Sequence, residues 1–310
     1  MNDYLLWHLL YQVPLPSRFI DVLFTVYTAI QLYILGAIYV VKEIHRKFSS
    51  SVRKLTPDEP DIPNNLLKYV AIVTGGSRGI GLSVAKDLYR RGCTVIITSS
   101  ATAEGERRKV ADEVRHSVTP TVPGGRVLVW WVDFRQLSTV ADFAARFSRT
   151  FASLDILVNN AGVMFVEKAY TGDGFEYHYQ INYLSHALLT WLLMPVMHRA
   201  NKVSPARVVN VSSSTHYPRS LFIEDLQSLK TPYSPFHAYA QSKLCQVMFT
   251  YFMADWLKKH QGEYRVLVNS LHPGVAKTGL YQHVWWVKIF PRIARLLFRV
   301  SSSRSGGGGR

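Results

Sequence analysis

The feature that most constrains the fold is an alternation beginning at Lys68. Six short runs rich in Val and Ile, "YVAIVT", "TVIIT" (94–98), "RVLVWWVD", "DILVNN", "RVVNVS" and "RVLVNSL", have the composition and length of strands. Between them lie longer stretches with helical character, at 80–91, 103–116, 136–151, 175–199 and 238–259. Parallel strands need long crossovers, and helical crossovers cover the sheet on both faces. The expected fold class is therefore α/β, a doubly wound parallel sheet.

Sheets of this kind take ligands beyond the carboxyl ends of their strands. "TGGSRGIG" (74–81) stands there, after the first strand and at the start of the first helix. Gly75, Gly79 and Gly81 would let the backbone approach a pyrophosphate, which the helix N-terminus favours electrostatically. Further along, "AYAQSK" (238–243) sets Tyr239 and Lys243 four apart, on one helical face.

The chain carries 36 Lys and Arg against 21 Asp and Glu, a formal charge of +15, and no acidic residue follows Glu263. This balance suits an anionic surface; because the charge clusters around apolar segments, membrane lipid is the expected partner and nucleic acid is not. Residues 19–41, "FIDVLFTVYTAIQLYILGAIYVV", hold one charge, Asp21, and as a helix would span about 34 Å, enough for a hydrocarbon layer. A transmembrane anchor is expected there, in preference to a cleaved signal peptide or a buried core helix, after an N-terminal flank of residues 1–18. Lys42, Arg46, Lys47, Arg53 and Lys54 follow the span, which orients the remainder to the cytosol; residues 42–67 read as a basic flank and Pro-rich linker. Cys93 and Cys245 have no metal-ligand spacing and no disulfide framework is expected, in keeping with a reducing compartment. The scattered histidines, among them His178, His186, His216, His237 and His272, also lack metal spacing, so no metal is expected.

"TGGSRGIG", "NNAG" (159–162), "VSSS" and "YAQSK" stand in this order across residues 68–280 and together resemble the short-chain dehydrogenase/reductase family. The resemblance implies a Rossmann-like sheet, a nicotinamide cofactor and oxidation or reduction at a CH–OH group. Tyr ionises near pH 10 unaided; bringing it to neutrality takes about 4 kcal/mol, which one ammonium about 4 Å away at an effective dielectric near 20 supplies. Tyr239 is thus the expected acid/base and Lys243 its electrostatic partner. The family pattern points to Ser213, ahead of Ser212 and Ser214, for polarising the substrate oxygen, and to Asn182 for a water-linked proton route. The resemblance also implies cofactor contacts at Gly75, Ser77, Arg78, Gly79, Ile80, Gly81, Ala161, Gly162, Tyr239 and Lys243. It adds Asp133 on the adenine side, Asn159 steadying the sheet and bordering the cofactor, and Pro273, Gly274 and Thr278 at the nicotinamide end. The second strand closes on "TSS" (98–100) with neither the Asp that favours NAD nor an Arg, while Arg78 matches a basic position associated with NADP; the reading is NADP(H), with NAD(H) also allowed.

"DGFEYHYQINYLSHALLT", "SSSTHY" and "DLQS" resemble the retinol-dehydrogenase-like branch of the family. "YSPFHAYAQSKLCQVMFTYFM" with "PGVAKTGLYQHVWW" narrows the resemblance to members acting on polyprenol, implying a polyprenol- or dolichol-type alcohol and its aldehyde; retinol or a steroid is the alternative. Endoplasmic reticulum or lipid droplet is the location this kinship implies. Residues 281–300 form a basic amphipathic segment around "WWVKIFPRIARLLFRV", read as a substrate lid, a membrane-surface helix or both. Residues 301–310, "SSSRSGGGGR", are low-complexity tail where relatives have a further helix and a seventh edge strand. This ending leaves a catalytically impaired nucleotide-binding form, and weakened contacts in any homodimer, as further expectations.

Overall fold

A computed structural model of the chain describes residues 7–9, 12, 16–48, 64–200, 204–217, 223–260 and 263–274. Helix α1 spans Ser17–Phe48 and is followed by the alternating domain: β1 Val70–Val73, α2 Gly79–Arg90, β2 Thr94–Ser99, α3 Glu104–Ser117, β3 Arg126–Trp131, α4 Leu137–Thr150 and β4 Ile156–Asn159. A π-helical turn, Tyr179–Leu184, then runs into α5, Ser185–His198; β5 Ala206–Val211, α6 Pro235–Lys259 and β6 Val266–Leu271 follow. The strands lie in the order β3-β2-β1-β4-β5-β6, all parallel. The direction of winding reverses between β1 and β4, which opens a crevice above their carboxyl ends.

Burial follows position in the sheet. Every residue of β4 is buried, as are three of the four in β1, because helices cover both faces of the centre. At the edge, β6 alternates, with Val266 and Val268 buried and Leu267 exposed. One core cluster packs α4, α5 and α6 on one face around Ile72, Leu157 and Val208; the other packs α2 and α3 around Ala71, Val73 and Ile97. Leu66 is fully buried in the second cluster, so the domain's packing begins ahead of Lys68.

Two elements depart from expectation. The segment expected as one helix over 175–199 opens with the π-helical turn, which holds the buried Asn182. Such widened turns recur at functional sites. Helix α6 starts three residues ahead of the expected 238, because Ser234 caps it through the His237 N–H and Pro235 occupies its first turn.

The transmembrane anchor expected over 19–41 needs correction: among the described residues, no helix is long and apolar enough to cross a membrane. One stripe of α1 instead docks on the domain. Ile20, Phe24, Thr28 and Leu32, four apart, are buried, and Phe24 packs on His237 with ring centroids 5.3 Å apart. Thr28 Oγ1 lies 2.6 Å from Ser234 Oγ, and Asp21 accepts from the Tyr233 N–H at 2.9 Å. Asp21 therefore satisfies a backbone donor beside α6 rather than meeting lipid headgroups. The other side of the helix is apolar and exposed, through Phe19, Val22, Leu23, Val26, Ile30, Ile34 and Ile38. Side chains at 35–37 and 39–48 lie outside the described residues, as do the linker at 49–63, the amphipathic segment at 281–300 and the tail.

Candidate active site

A cleft of about 630 Å³ lies above β1, β2, β3 and β4, within the usual range for small-molecule and cofactor sites. Its floor is the glycine loop. Gly75 and Gly79 have φ of +60° and +57°, where a side chain is strained. Thr74, at the end of β1, ties the loop to β4: its hydroxyl accepts from the Asn160 and Ala161 N–H groups at 2.8 and 2.9 Å. Asn160 Nδ2 returns a bond to Thr74 O at 2.9 Å. A Cβ at Gly81 would stand 2.5 Å from Asn160 Nδ2 and 2.6 Å from Gly75 O. The first turn of α2 has no side-chain cap, so its N–H groups are left for an anion. Gly75, Ser77, Arg78, Gly79 and Ile80 line the cleft, with Arg78 exposed at its lip. The loop thus has the clearance and the open donors that a dinucleotide pyrophosphate requires.

Replacing Gly81 with alanine is expected to weaken dinucleotide binding at least about tenfold and to destabilise the fold by about 1–3 kcal/mol, because backbone and the hydrogen-bonded Asn160 amide block the added methyl. Cofactor fluorescence titration and thermal melting measure the two effects.

On the adenine side, Asp133 lines the cleft, but its carboxylate already holds Arg135. The guanidinium donates through Nε to Oδ1 at 2.9 Å and through a terminal nitrogen to Oδ2 at 2.6 Å. The Arg135 hydrogen bonds lower the Asp133 pKa against the opposing effect of burial. Arg135 is a cleft residue that the motifs do not single out; its signal is an Arg two places after a strand-end Asp. Asn160 was also missed. Asn159, expected to steady the sheet and border the cofactor, is fully buried and braces the sheet by donating to Thr190 and Asn210, while Asn160 lines the cleft. At the end of β2, Ser99, Ser100 and Ala101 face the cleft, with Glu106 of α3 nearby.

Ala161 and Gly162 carry the cleft toward α6. A Cβ at Gly162 would stand 2.9 Å from Asn182 Oδ1 and 3.8 Å from Lys243 Nζ, so both groups lie directly behind the floor. Asn182 clamps the loop above it: Oδ1 accepts from Val163 N at 2.8 Å, and Nδ2 donates to Val163 O and to Ser242 Oγ. Both amide donors are thereby spent, and the Asn182 side chain braces the loop. Behind it His186 is buried and neutral, pushed down to about 3 by burial and then by the charge of Lys243. Its Nδ1–H donates to Asn182 O, and its Nε2 accepts from Thr74.

Tyr239 and Lys243 lie one turn apart on α6, 4% and 5% exposed. The ammonium stands 5.8 Å from the centroid of the Tyr239 ring and donates to Val211 O and Gln246 Oε1, each at 2.9 Å. Burial lowers the Lys243 pKa to about 7. Of the three candidate serines, Ser212 is buried and donates to Lys243 O, and Ser214 is buried in a short turn. Ser213 is partly exposed at the end of β5, its hydroxyl accepting from Thr215 N. Over Tyr239 sits Phe165, edge to face at 5.2 Å, with φ of +56°, a strained value for a bulky residue. The next residue holds it there: Val166 N donates to His178 Nε2 and Val166 O accepts from the Tyr233 hydroxyl. Pro273 and Gly274 follow β6, and Thr278 lies outside the described residues.

Comparison with known proteins agrees with this geometry. The sequence profile of the short chain dehydrogenase family matches residues 69–285. Human polyprenol dehydrogenase is 39% identical over 83% of this chain and 74% of its own. Human retinol dehydrogenase 12 is 39% identical over 69% of this chain and 63% of its own. Among solved structures, an uncharacterized protein from Mycobacterium Paratuberculosis superposes with a TM-score of 0.59 at 34% identity, covering 72% of this chain and 74% of that one. A short chain dehydrogenase from Burkholderia cenocepacia J2315 in complex with NADP does so with a TM-score of 0.54 at 25% identity, covering 70% and 78%. Glycine loop, sheet order and matched profile lead to one conclusion: the chain belongs to the short chain dehydrogenase family, a family of NAD(P)-dependent oxidoreductases.

Proposed function

We propose that this protein interconverts a lipophilic alcohol and its aldehyde or ketone with NADP(H), at a membrane surface, and that its substrate is an isoprenoid alcohol of the polyprenol or dolichol type. The observation that carries this reading is a continuous line of aromatic contacts from α1 to Tyr239. Tyr33 of α1 meets Phe236, Phe236 meets Phe165 at 4.4 Å, and Phe165 covers Tyr239. The opposite side of α1 is the exposed apolar stripe. A helix that wets one face in lipid and walls the reaction site with the other suits an alcohol too apolar to leave the bilayer. Similarity to polyprenol dehydrogenase over most of the chain supports the same substrate class, and similarity to retinol dehydrogenase 12 supports retinol as the second reading. Arg78 at the lip, beside the serines that close β2, supports NADP over NAD.

When bound, the dinucleotide accepts or supplies the hydride. The chain's own residues handle the substrate oxygen and its proton. Ser213 donates to the oxygen and fixes its position. In oxidation the Tyr239 oxygen takes the hydroxyl proton; in reduction it returns one. Lys243 supplies positive charge: its ammonium stands 5.8 Å from the centre of the Tyr239 ring, and at about 6 Å and an effective dielectric near 20 one charge is worth about 3 kcal/mol to negative charge on that ring. Asn182 keeps the floor at Val163 and Ser242 in register.

The deciding experiment is a panel of polyprenol, retinol and a hydroxysteroid, each with NAD and NADP, using the intact chain on phosphatidylcholine vesicles. Fastest turnover with polyprenol and NADP is the expected result. Preference for retinol would favour the second reading, and turnover unaffected by omitting vesicles or by Ile30→Ser with Ile34→Ser would remove the membrane from the account.

A further inference from the structure

Behind the cleft floor a cation is buried with two neutral oxygens as its partners. Among the described residues, the Lys243 ammonium donates to Val211 O and to Gln246 Oε1, and to no carboxylate. Gln246 lies three residues on along α6, is 2% exposed, and its Nε2 has no partner among the described residues. Reversing the amide would set an NH₂ group against the ammonium, so the orientation seen is the one Lys243 requires. An apolar side chain would fill the same core position with no donor left unpaired. The amide is accounted for by the cation it serves. We propose that Gln246 is a positioning residue whose amide oxygen keeps Lys243 protonated and held at the cleft floor, so that positive charge persists beside Tyr239 at neutral pH.

The surroundings leave this task to the Val211 carbonyl and, among side chains, to Gln246. From α5 the titratable group facing Lys243 is His186, which is neutral. Beyond the Tyr239 ring lies His178, bonded to Glu176, whose second oxygen accepts from Tyr179 N. Burial pushes the Glu176 carboxyl up, yet the His178 hydrogen bond and the backbone donors hold it below its ordinary value. On α6 itself, the Cys245 thiol is pushed up to about 12 by burial. From the strands, Asn159, Asn210 and Ser212 are uncharged, and Asn210 donates to Thr250.

The catalytic half of this inference rests on the function proposed above; the proton linkage between Gln246 and Lys243 can be read without any substrate. Two variants test it, Gln246→Leu and Gln246→Glu, each in two measurements: the pH–rate profile of the intact enzyme with NADP, and urea unfolding of the dinucleotide-free protein from pH 5 to 10. Leucine removes an acceptor from the ammonium, so Lys243 loses its proton at lower pH. The rise of stability with pH then begins earlier, and the pH at which oxidation accelerates moves up by about one unit, about tenfold in rate at pH 7. Glutamate holds the proton more strongly, moving the stability rise to higher pH, while its negative charge offsets the field and also moves the rate profile up. Opposite shifts in stability with like shifts in rate are the expected signature. Unmoved pH curves in Gln246→Leu overturn the proposal, whatever its melting temperature, and that variant decides alone if the glutamate protein does not fold. Shifted stability curves with no turnover of any alcohol would support the linkage and overturn both the proposed function and the catalytic half.

Discussion

Tyr239→Phe is expected to lower turnover on the order of 10³-fold for every alcohol or aldehyde the protein accepts, while dinucleotide affinity stays close to wild type. The substitution removes one oxygen and leaves the ring, so the edge-to-face packing with Phe165 and the 4%-exposed position on α6 are kept. The phenol adds nothing to the glycine loop: Gly75, Ser77, Arg78, Gly79 and Ile80 line the cleft and Tyr239 does not. Turnover therefore separates from binding. Steady-state rates with polyprenol and retinol, beside fluorescence titration with NADP, measure both; a phenylalanine enzyme that turns over at the wild-type rate would falsify the acid/base role.

Lys243→Met has the second large effect, and it acts on stability as well as rate. Loss of the cation is expected to cost on the order of 10²-fold in turnover, in line with about 3 kcal/mol of field at the Tyr239 ring. Burial holds the folded Lys243 value at about 7, below its ordinary 10.5, so between the two the unfolded chain binds more protons than the folded one. Stability from this group therefore rises with pH from about 7 towards 10.5, and at pH 7 and below the buried charge opposes folding. The difference in unfolding free energy between wild type and Lys243→Met should grow in favour of wild type by about 3 kcal/mol from pH 7 to pH 10. Urea unfolding at the two pH values measures it. A constant difference would mean that Lys243 keeps an ordinary lysine value in the fold.

Much of the architecture was legible along the chain. The six apolar runs became six parallel strands, because strand-length stretches of β-branched residues flanked by helices have one stable arrangement as central strands. The glycine loop was legible for a steric reason: Gly75 and Gly79 adopt positive φ and Gly81 has no room for a Cβ, each a property of a single residue. The i, i+4 step of Tyr239 and Lys243 was likewise readable from helical period alone.

What the chain order left open were the partners of those residues. Hydropathy marked residues 19–41 as apolar, but whether an apolar helix faces lipid all round or docks a stripe depends on what lies opposite. Here Ser234, Tyr233 and His237, more than two hundred residues away in sequence, take up Thr28, Asp21 and Phe24. Asn159 and Asn160 are adjacent and chemically alike. One braces the sheet and the other lines the cleft, because successive residues at a strand end point to opposite sides. Arg135 on Asp133 escaped notice because the spacing carries no motif.

By itself, the sequence determined the order and type of the elements, the bends of the glycine loop and the one-turn spacing on α6, since each follows from backbone sterics or period within a few residues. The tertiary structure alone decided which face of α1 is covered, which asparagine meets the cleft, and that Lys243 is held by a carbonyl and an amide. Those outcomes depend on side chains brought together by crossovers, and a buried group takes its charge state and its partners from neighbours that chain order does not specify.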